Sequence, residues 1–563
     1  MPVTGKQRSV DASRFAMVPR NDVPRSAFDL SHTHKTTFNS GTLVPVYVDE
    51  VLPGDSIRVN MTAFCRLSTP IVPILDNLIM ESFFFFVPNR LVWDNWTRFM
   101  GEQLTPDDST TFLLPYITIA GTDIWVTGGS THSLPDWMGI TLNGNQVNSI
   151  NVNALPFRAY VLIWNEWFRD QDLQEPYPVP KDDGPDTFAD YDGPNPLFHP
   201  IFGLYRGKRH DYFTSARPWP QKPMNADLLS GMGTPFGFDN MQFPQAGAPV
   251  TGLGVLTSAG PEPHTGLLHY SGGRTATPDY SYNTGADAFY MAANGVSEQP
   301  IVRVLINDIR TSLLVQGMLE RNARGGTRYT ELVRSHFGVV SPDARLQRPE
   351  YLGGGRAHIT VNPVAQTSAT GVAGTTTVLG ELAGVGTAIA SGHGFSQSFT
   401  EHGTILGLVS VRADLTYQNG INRMWFRRTQ FDFYWPALAH LGEQAIYSRE
   451  LYADGANLAG SGVGDDSVFG YQERWSEYKY KPNRISGLFR SSRSAPLDMW
   501  HLAQNFGTRP VLNEIFIQDV PPVPRVLQTD TTSSAEFLFD SVFNIRMVRC
   551  MPMFSVPGLG PRL

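Results

Sequence analysis

The densest group of residues able to do chemistry lies in QERWSEYKYKPNRISGLFRSSRS, residues 472–494. Arg474, Lys479, Lys481, Arg484, Arg490 and Arg493 are set against only Glu473 and Glu477, with Trp475, Tyr478, Tyr480 and Phe489 interleaved. Cations neutralise phosphates while aromatic rings stack on unpaired bases, so this mixture suits single-stranded nucleic acid. It suits a contact between subunits as well, or a solvated strand face with ordinary core aromatics. A second basic region, residues 321–356, carries Arg321, Arg324, Arg328, Arg334, Arg345, Arg348 and Arg356 and no Lys. Arginine's planar fork favours fixed, bidentate partners, either phosphates or the carboxylates of a neighbouring subunit.

Other candidate chemistry is sparse. Asp182, Asp183, Asp186, Asp190 and Asp192 crowd the loop KDDGPDTFADYDGP. Carboxylates on such a loop can hold a hard cation, but the spacing is not that of an EF-hand, and a solvated acidic turn is the simpler reading. His32 and His34 have the closest approach to metal spacing, without a Cys or acidic cluster nearby in sequence. Walker-type loops, HExxH, paired CxxC and a nucleophile-elbow serine are all missing. Gly353-Gly354-Gly355 lacks the strand-to-helix setting of a phosphate cradle and reads as a tight loop. Catalysis, a cofactor and a metal are therefore not expected.

Strands must position these residues. Residues 43–51 and 57–67 are β-branched runs on either side of the turn Pro53-Gly54-Asp55. The run Glu81-Ser82-Phe83-Phe84-Phe85-Phe86-Val87 does not alternate, which predicts a strand buried on both faces. Asn89 can cap a helix bearing Val92, Trp93, Trp96 and Met100, with Gly101 as its exit. Further helices are expected at residues 155–168, 306–323 and 497–505, and further strands at residues 405–417, 429–435 and 537–549. Strands at both ends of the chain point to an antiparallel barrel whose first and last strands meet.

The whole chain agrees with that picture. It has 563 residues, including 52 Gly and 42 Pro, as befits short strands joined by many turns. Charged residues reach only 17%, below the usual value of about 25%, as expected when neighbours cover much of the surface. Net charge is −8, yet residues 1–40 hold six Lys/Arg and three Asp and read as a basic arm ahead of the first strand. With two cysteines, Cys65 and Cys550, and no apolar leader or long apolar run, the chain is expected to be soluble, born in a reducing compartment and not inserted in a membrane. Residues 224–300 contain one Arg, Arg274, and no Lys, and are rich in Gly, Ala, Pro and Thr. Their tyrosines Tyr270, Tyr280, Tyr282 and Tyr290 have the chemistry of a recognition surface, which predicts an outward loop with an attachment role. Residues 368–394 are nearly uncharged and punctuated by glycine.

Long ordered stretches resemble one family throughout. They include PRSAFDLSHTHKTTFNSG, VPVYVDEVLPGDS, SFFFFVPNRLVWDNWTRFMGEQ, GKRHDYFTSARPWPQK, EHGTILGLVSVRADLTYQNGINRMW, FGYQERWSEYKYKP and FIQDVPPVPRV. The chain is similar to the major capsid proteins of gokushoviruses, small tailless single-stranded DNA phages of the microvirus family. The resemblance implies a mainly β, eight-stranded antiparallel jelly roll with long loop insertions and a few short helices. It implies a homo-oligomeric icosahedral shell with one subunit per asymmetric unit, assembled in the bacterial cytoplasm around a circular single-stranded DNA genome. A DNA pilot protein, a small basic internal protein and a host cell-surface receptor are the implied partners. The expected layout is an arm at 1–40, jelly-roll segments at 41–223 and 301–563, and a variable insertion at 224–300 that protrudes at the threefold axes. The competing expectation is a carbohydrate-binding or carbohydrate-cleaving jelly-roll protein, for which a leader peptide and a disulfide would be usual.

Overall fold

The structure, a computed structural model, describes residues 23–124, 132–141, 148–193, 199–221, 253–257, 260–263, 289–291, 306–365, 367, 382–455, 464–528 and 535–554. Nine strands make its frame: β1 (Arg25–Asp29), β2 (His32–Phe38), β3 (Val44–Val51), β4 (Ser56–Leu67), β5 (Leu78–Pro88), β6 (Glu350–Ala365), β7 (Leu382–Ser398), β8 (Gly403–Ala413) and β9 (Phe537–Cys550). Their antiparallel order is β1-β9-β4-β7-β6-β5-β8-β3, with β2 also on β9. Because β1 and β2 pair successive stretches of β9, they act as one bent strand. Pairing runs unbroken through β7 and β6, so β1/β2-β9-β4-β7 and β6-β5-β8-β3 are the two halves of one nine-stranded sheet that curls around a shared core. First and last strands lie side by side, as in an eight-stranded jelly roll.

Burial follows the residue pattern. In β4, Ile57, Val59, Met61, Ala63, Cys65 and Leu67 turn inward while Arg58, Asn60, Thr62, Phe64 and Arg66 turn out. β9 alternates likewise, with Phe537, Phe539, Phe543, Ile545 and Met547 inward. β5 and β8 do not alternate, because their sheet is covered twice. Phe84, Phe86, Ile405, Val409 and Val411 face the barrel core. Phe85, Val87, Leu406 and Leu408 belong to a second core with α1 (Leu155–Ile163). That helix runs on through a wider turn, Trp164–Phe168, and the hydroxyl of its Tyr160 donates to the Leu43 carbonyl at 2.8 Å. A third cluster, around Tyr212, Phe213, Tyr417, Ile446, Phe469 and Phe516, gathers the C-terminal loops.

Several expectations are corrected. Strand structure begins at Arg25, inside the segment read as an arm. Gly353, Gly354 and Gly355 lie within β6, not in a loop. A side chain on Gly354 would collide with the Ser82 carbonyl, and one on Gly355 with the His393 ring. Residues 429–435 are not a strand: Gln430–Asp432 is a single 3-10 turn and Pro436–Leu438 another. The Asp432 carboxylate takes the backbone N–H groups of Arg428 and Thr429, a local bond that competes with strand pairing. Of the helix expected at 497–505, only the turn Asp498–Trp500 forms, because Arg525 draws the carbonyls of His501 and Ala503 to itself. The helix expected after Asn89 is likewise two short turns, Asn89–Leu91 and Trp96–Phe99.

The chain divides into two compact units, Met1–Pro220 with Asn322–Leu563, and Gln221–Arg321. The second contains the insertion read at 224–300. Its described strands, Leu253–Thr257, Gly260–Pro263 and Phe289–Met291, pair only with one another. Tyr290 falls in the last of these, while Tyr270, Tyr280 and Tyr282 lie outside the described residues. Helices α2 (Ile306–Gly325) and α3 (Tyr329–Phe337) follow, and α3 ends at Gly338 with φ 68°, a left-handed cap.

Candidate nucleic-acid interface

The basic–aromatic stretch is held by an antiparallel ribbon of Glu443–Tyr447 and Val468–Glu473. The chain then turns sharply through Trp475, whose φ of 71° is left-handed, into the helical turn Ser476–Lys479. Beyond it, Asn483–Arg484 pairs in parallel with Thr416–Tyr417. The predicted residues separate into two kinds. Trp475 is only 3% exposed and donates its indole N–H to the Leu438 carbonyl at 3.0 Å. It anchors the turn and offers no free face for a base, which corrects its reading as a stacking ring. Arg474 lies 4.2 Å over that indole and donates to the Phe431 carbonyl at 3.1 Å.

The remainder faces outward. Tyr478 and Tyr480 are exposed, and so are Lys479, Lys481, Arg484 and Arg493. Lys479 pairs with Glu473 at 2.8 Å. Arg490 is half-buried, its Nε donating to the Ile485 carbonyl. Among the described residues, Lys481, Arg484, Arg490 and Arg493 have no ion pair within the chain. Tyr480 and Arg484 share the wall of a small cavity of about 60 Å³ with Tyr417 and Glu450.

The structure adds a group that was missed. Trp425, Phe431, Phe433, Tyr434 and Trp435 are all exposed. Tyr434 is in ring contact with Trp475 and Tyr478 at 5.6 and 6.4 Å, and Arg427 lies 4.3 Å over the Tyr478 ring. The signal was present in NRMWFRRTQFDFYWP, which mixes arginine with rings just as residues 472–494 do. Reading residues 429–435 as a strand put half of those rings on a buried face.

Three of the seven arginines in the second basic region are paired within the chain. Arg324 pairs with Glu443, Arg328 with Glu331, and Arg348 with Asp343 while lying 4.2 Å over the Trp167 ring. Those partners are carboxylates of the same chain, not of a neighbour. Arg321, Arg334, Arg345 and Arg356 remain exposed. The acidic loop is likewise a structural device. Asp186 is buried, accepts two bonds from the fully buried Arg158 at 2.6 and 2.8 Å, and accepts a third from Tyr191. Asp183 takes Trp93 and Asn95, and Asp190 closes the turn begun by Thr187. No group of three or more His, Cys, Asp or Glu is placed to hold a metal among the described residues. No described helix is long and apolar enough to cross a membrane.

A barrel of this order, bearing many exposed aromatic rings, has the make-up of a subunit. A profile of the family "Capsid protein (F protein)" matches residues 16–559. The chain belongs to this capsid protein family. It is 42% identical over 560 residues to the capsid protein VP1 of Bdellovibrio phage phiMH2K, covering 97% of each chain. To the capsid protein VP1 of Chlamydia phage 1 it is 38% identical over 605 residues, covering 98% of this chain and 99% of that one. To that of Spiroplasma virus 4 it is 34% identical, covering 97% of each. The resemblance to gokushovirus capsid proteins therefore stands. This capsid protein is a structural, non-enzymatic component of a virion, and the carbohydrate-active alternative falls.

Proposed function

We propose that this capsid protein closes into an icosahedral shell with one subunit per asymmetric unit around circular single-stranded DNA. In this reading Lys481, Arg484, Arg490 and Arg493 face the genome together with Tyr478 and Tyr480. The observation that carries it is a set of cations without carboxylate partners beside exposed rings, in a protein that is acidic as a whole. Exposed charge left uncompensated in the subunit fits a polyanion that arrives on assembly, and each phosphate contact releases a counterion. Assembly in the bacterial cytoplasm, a DNA pilot protein and a small basic internal protein belong to the same proposal. So does host-receptor contact by the insertion at 224–300.

Replacing Arg484, Arg490 and Arg493 together by Gln tests the genome face. Closed shells of normal diameter should form, seen by electron microscopy, with less DNA, read from the 260/280 nm absorbance ratio of purified particles and from their slower sedimentation. Full particles with unchanged DNA content, or an outward position of these side chains in the assembled shell, sinks the assignment.

A further inference from the structure

A second, deeper cationic site lies away from residues 472–494. A cavity of about 820 Å³ opens beside β5 and the Trp164–Phe168 turn. That volume is within the range of about 300–1,000 Å³ usual for small-molecule sites. Eight cations line it, Arg169, Arg206, Lys208, Arg209, Arg217, Arg324, Arg328 and Arg412, against two carboxylates, Asp170 and Glu331. Counting partners behind the wall, several cations are matched: Arg209 pairs with Asp414 and Arg217 with Asp172. The mismatch is concentrated on four others.

Arg206 and Arg412 converge on one oxygen, Glu81 Oε2, so one carboxylate serves two guanidinium groups. Lys208, 7% exposed, donates to the neutral Gln504 Oε1 at 3.0 Å and makes no ion pair among the described residues. Arg169 donates to the Gln174 carbonyl, also without an ion pair among them, and is crowded by Arg328. Asp519 is buried close enough to influence Arg206, Lys208 and Arg412, yet neither of its oxygens has a hydrogen-bond partner. Burial lowers Lys208 to about 8 and, with the neighbouring Arg412, lowers Arg206 to about 10. Desolvated cations that outnumber their counter-charges are costly, and an incoming anion relieves that cost.

Rings complete the wall: Phe83, Phe85, Trp167, Phe168 and Tyr351. The Arg206 guanidinium lies 4.7 Å over Phe83, and Arg348 covers Trp167 from one side. Tyr351 is the ring most open to solvent. An acidic peptide would use the charges but gain little from the rings, whereas a nucleotide uses both.

We propose that this cavity binds a nucleotide of single-stranded DNA, its phosphate on Arg169, Lys208 and the Arg206–Arg412 pair and its base against Tyr351. The proposal rests on the reading that the shell holds single-stranded DNA, but it concerns a site distinct from residues 472–494. Two measurements test it. DNA-filled particles are irradiated at 254 nm and nucleotide adducts are mapped by mass spectrometry. The purified full-length subunit is titrated with fluorescent oligo(dT), with inorganic phosphate and poly-glutamate as competitors.

Adducts are expected on Tyr351 or Trp167. Arg169→Gln and Tyr351→Ala should each weaken oligo(dT) about tenfold. Only Arg169→Gln should flatten the salt dependence, by about 0.7 in the log–log slope. Adducts on Tyr480 with none on Tyr351 or Trp167 overturn the cavity site and spare the surface one. Adducts on Tyr351 or Trp167 with none on Tyr480 support the cavity and overturn the surface site instead. Poly-glutamate competing as well as oligo(dT) itself, with Tyr351→Ala without effect, replaces the nucleotide by an acidic peptide and overturns the proposal. Unchanged oligo(dT) binding in both variants does so too.

Discussion

Asp519 is a buried carboxyl, 1% exposed, whose proton couples stability to pH. Burial is the main cause that pushes its carboxyl up to about 7, against the opposing pull of Arg412, Lys208 and Arg206. The unfolded chain would lose that proton near pH 4. Between about pH 4 and 7 the folded state therefore holds a proton that the unfolded state has released, and stability falls as pH rises through this window. Asp519→Asn removes the penalty. The variant should match the parent at pH 4 and exceed it at pH 8, by on the order of 2 kcal/mol, read from urea unfolding of the subunit. Equal midpoints at pH 8 would show that the three cations compensate the carboxylate fully. Nothing local in IQDVPPV marks Asp519 as buried, because its environment is made by Arg206, Lys208 and Arg412 from distant parts of the chain. The same limit explains Trp475. Its neighbours in sequence are charged and suggest a surface ring, but the left-handed turn swings it inward onto the Leu438 carbonyl.

β4 and β9 were legible as runs of β-branched and apolar residues at 57–67 and 537–549. β4 and β9 each present one apolar face, and slipping either by one residue would exchange all of their inward and outward side chains. The unbroken apolar run of β5 was equally informative, since a sheet covered on both sides needs no polar face. Elements failed where side chains took over the backbone's hydrogen bonds, as Asp432 does at residues 429–435 and Arg525 at 501–503. The glycine run of β6 failed for another reason: its purpose is close approach between strands. His393 donates or accepts through Nδ1 at 2.8 Å from Ser82 Oγ, and its ring occupies the space that a Gly355 side chain would need. Gly355→Ala should cost about 1–3 kcal/mol by overpacking, seen as a lower urea midpoint with unchanged slope. Adding His393→Ala should recover part of that loss. If Gly355→Ala alone is neutral, β6 can shift away from β7 and the glycine is not required for the crossing between the two halves of the sheet.

At the scale of the molecule, a shell subunit has to keep its frame constant while carrying whatever the host demands. The insertion is well placed for that division. Its described strands pair with one another and with no strand of the barrel, so deleting them removes no barrel ladder. The chain that leads into it is fastened at Arg217, whose backbone N–H and carbonyl both pair with Tyr471 at 2.9 and 2.8 Å. The chain that follows it is fastened by Asn322 to His336 and by Arg324 to Glu443. Closing a shorter loop between fixed ends changes the entropy of folding only slightly, since that cost grows with the logarithm of loop length. Replacing residues 240–290 by a short Gly/Ser bridge should therefore leave the barrel stable and the particles assembled. On the proposal that the insertion meets the host, the trimmed particles should package DNA normally and lose most of their adsorption to cells. Sedimentation, DNA content and adsorption rate are measured on the same preparation, so the outcomes separate. Trimmed subunits that stay folded but do not close into shells would make the insertion a clamp between neighbours. Particles that assemble and adsorb at the parent's rate would move receptor contact to another surface. The exposed rings Trp425, Phe431 and Trp435 are the first place to look, because an aromatic surface of that extent on a subunit calls for a partner.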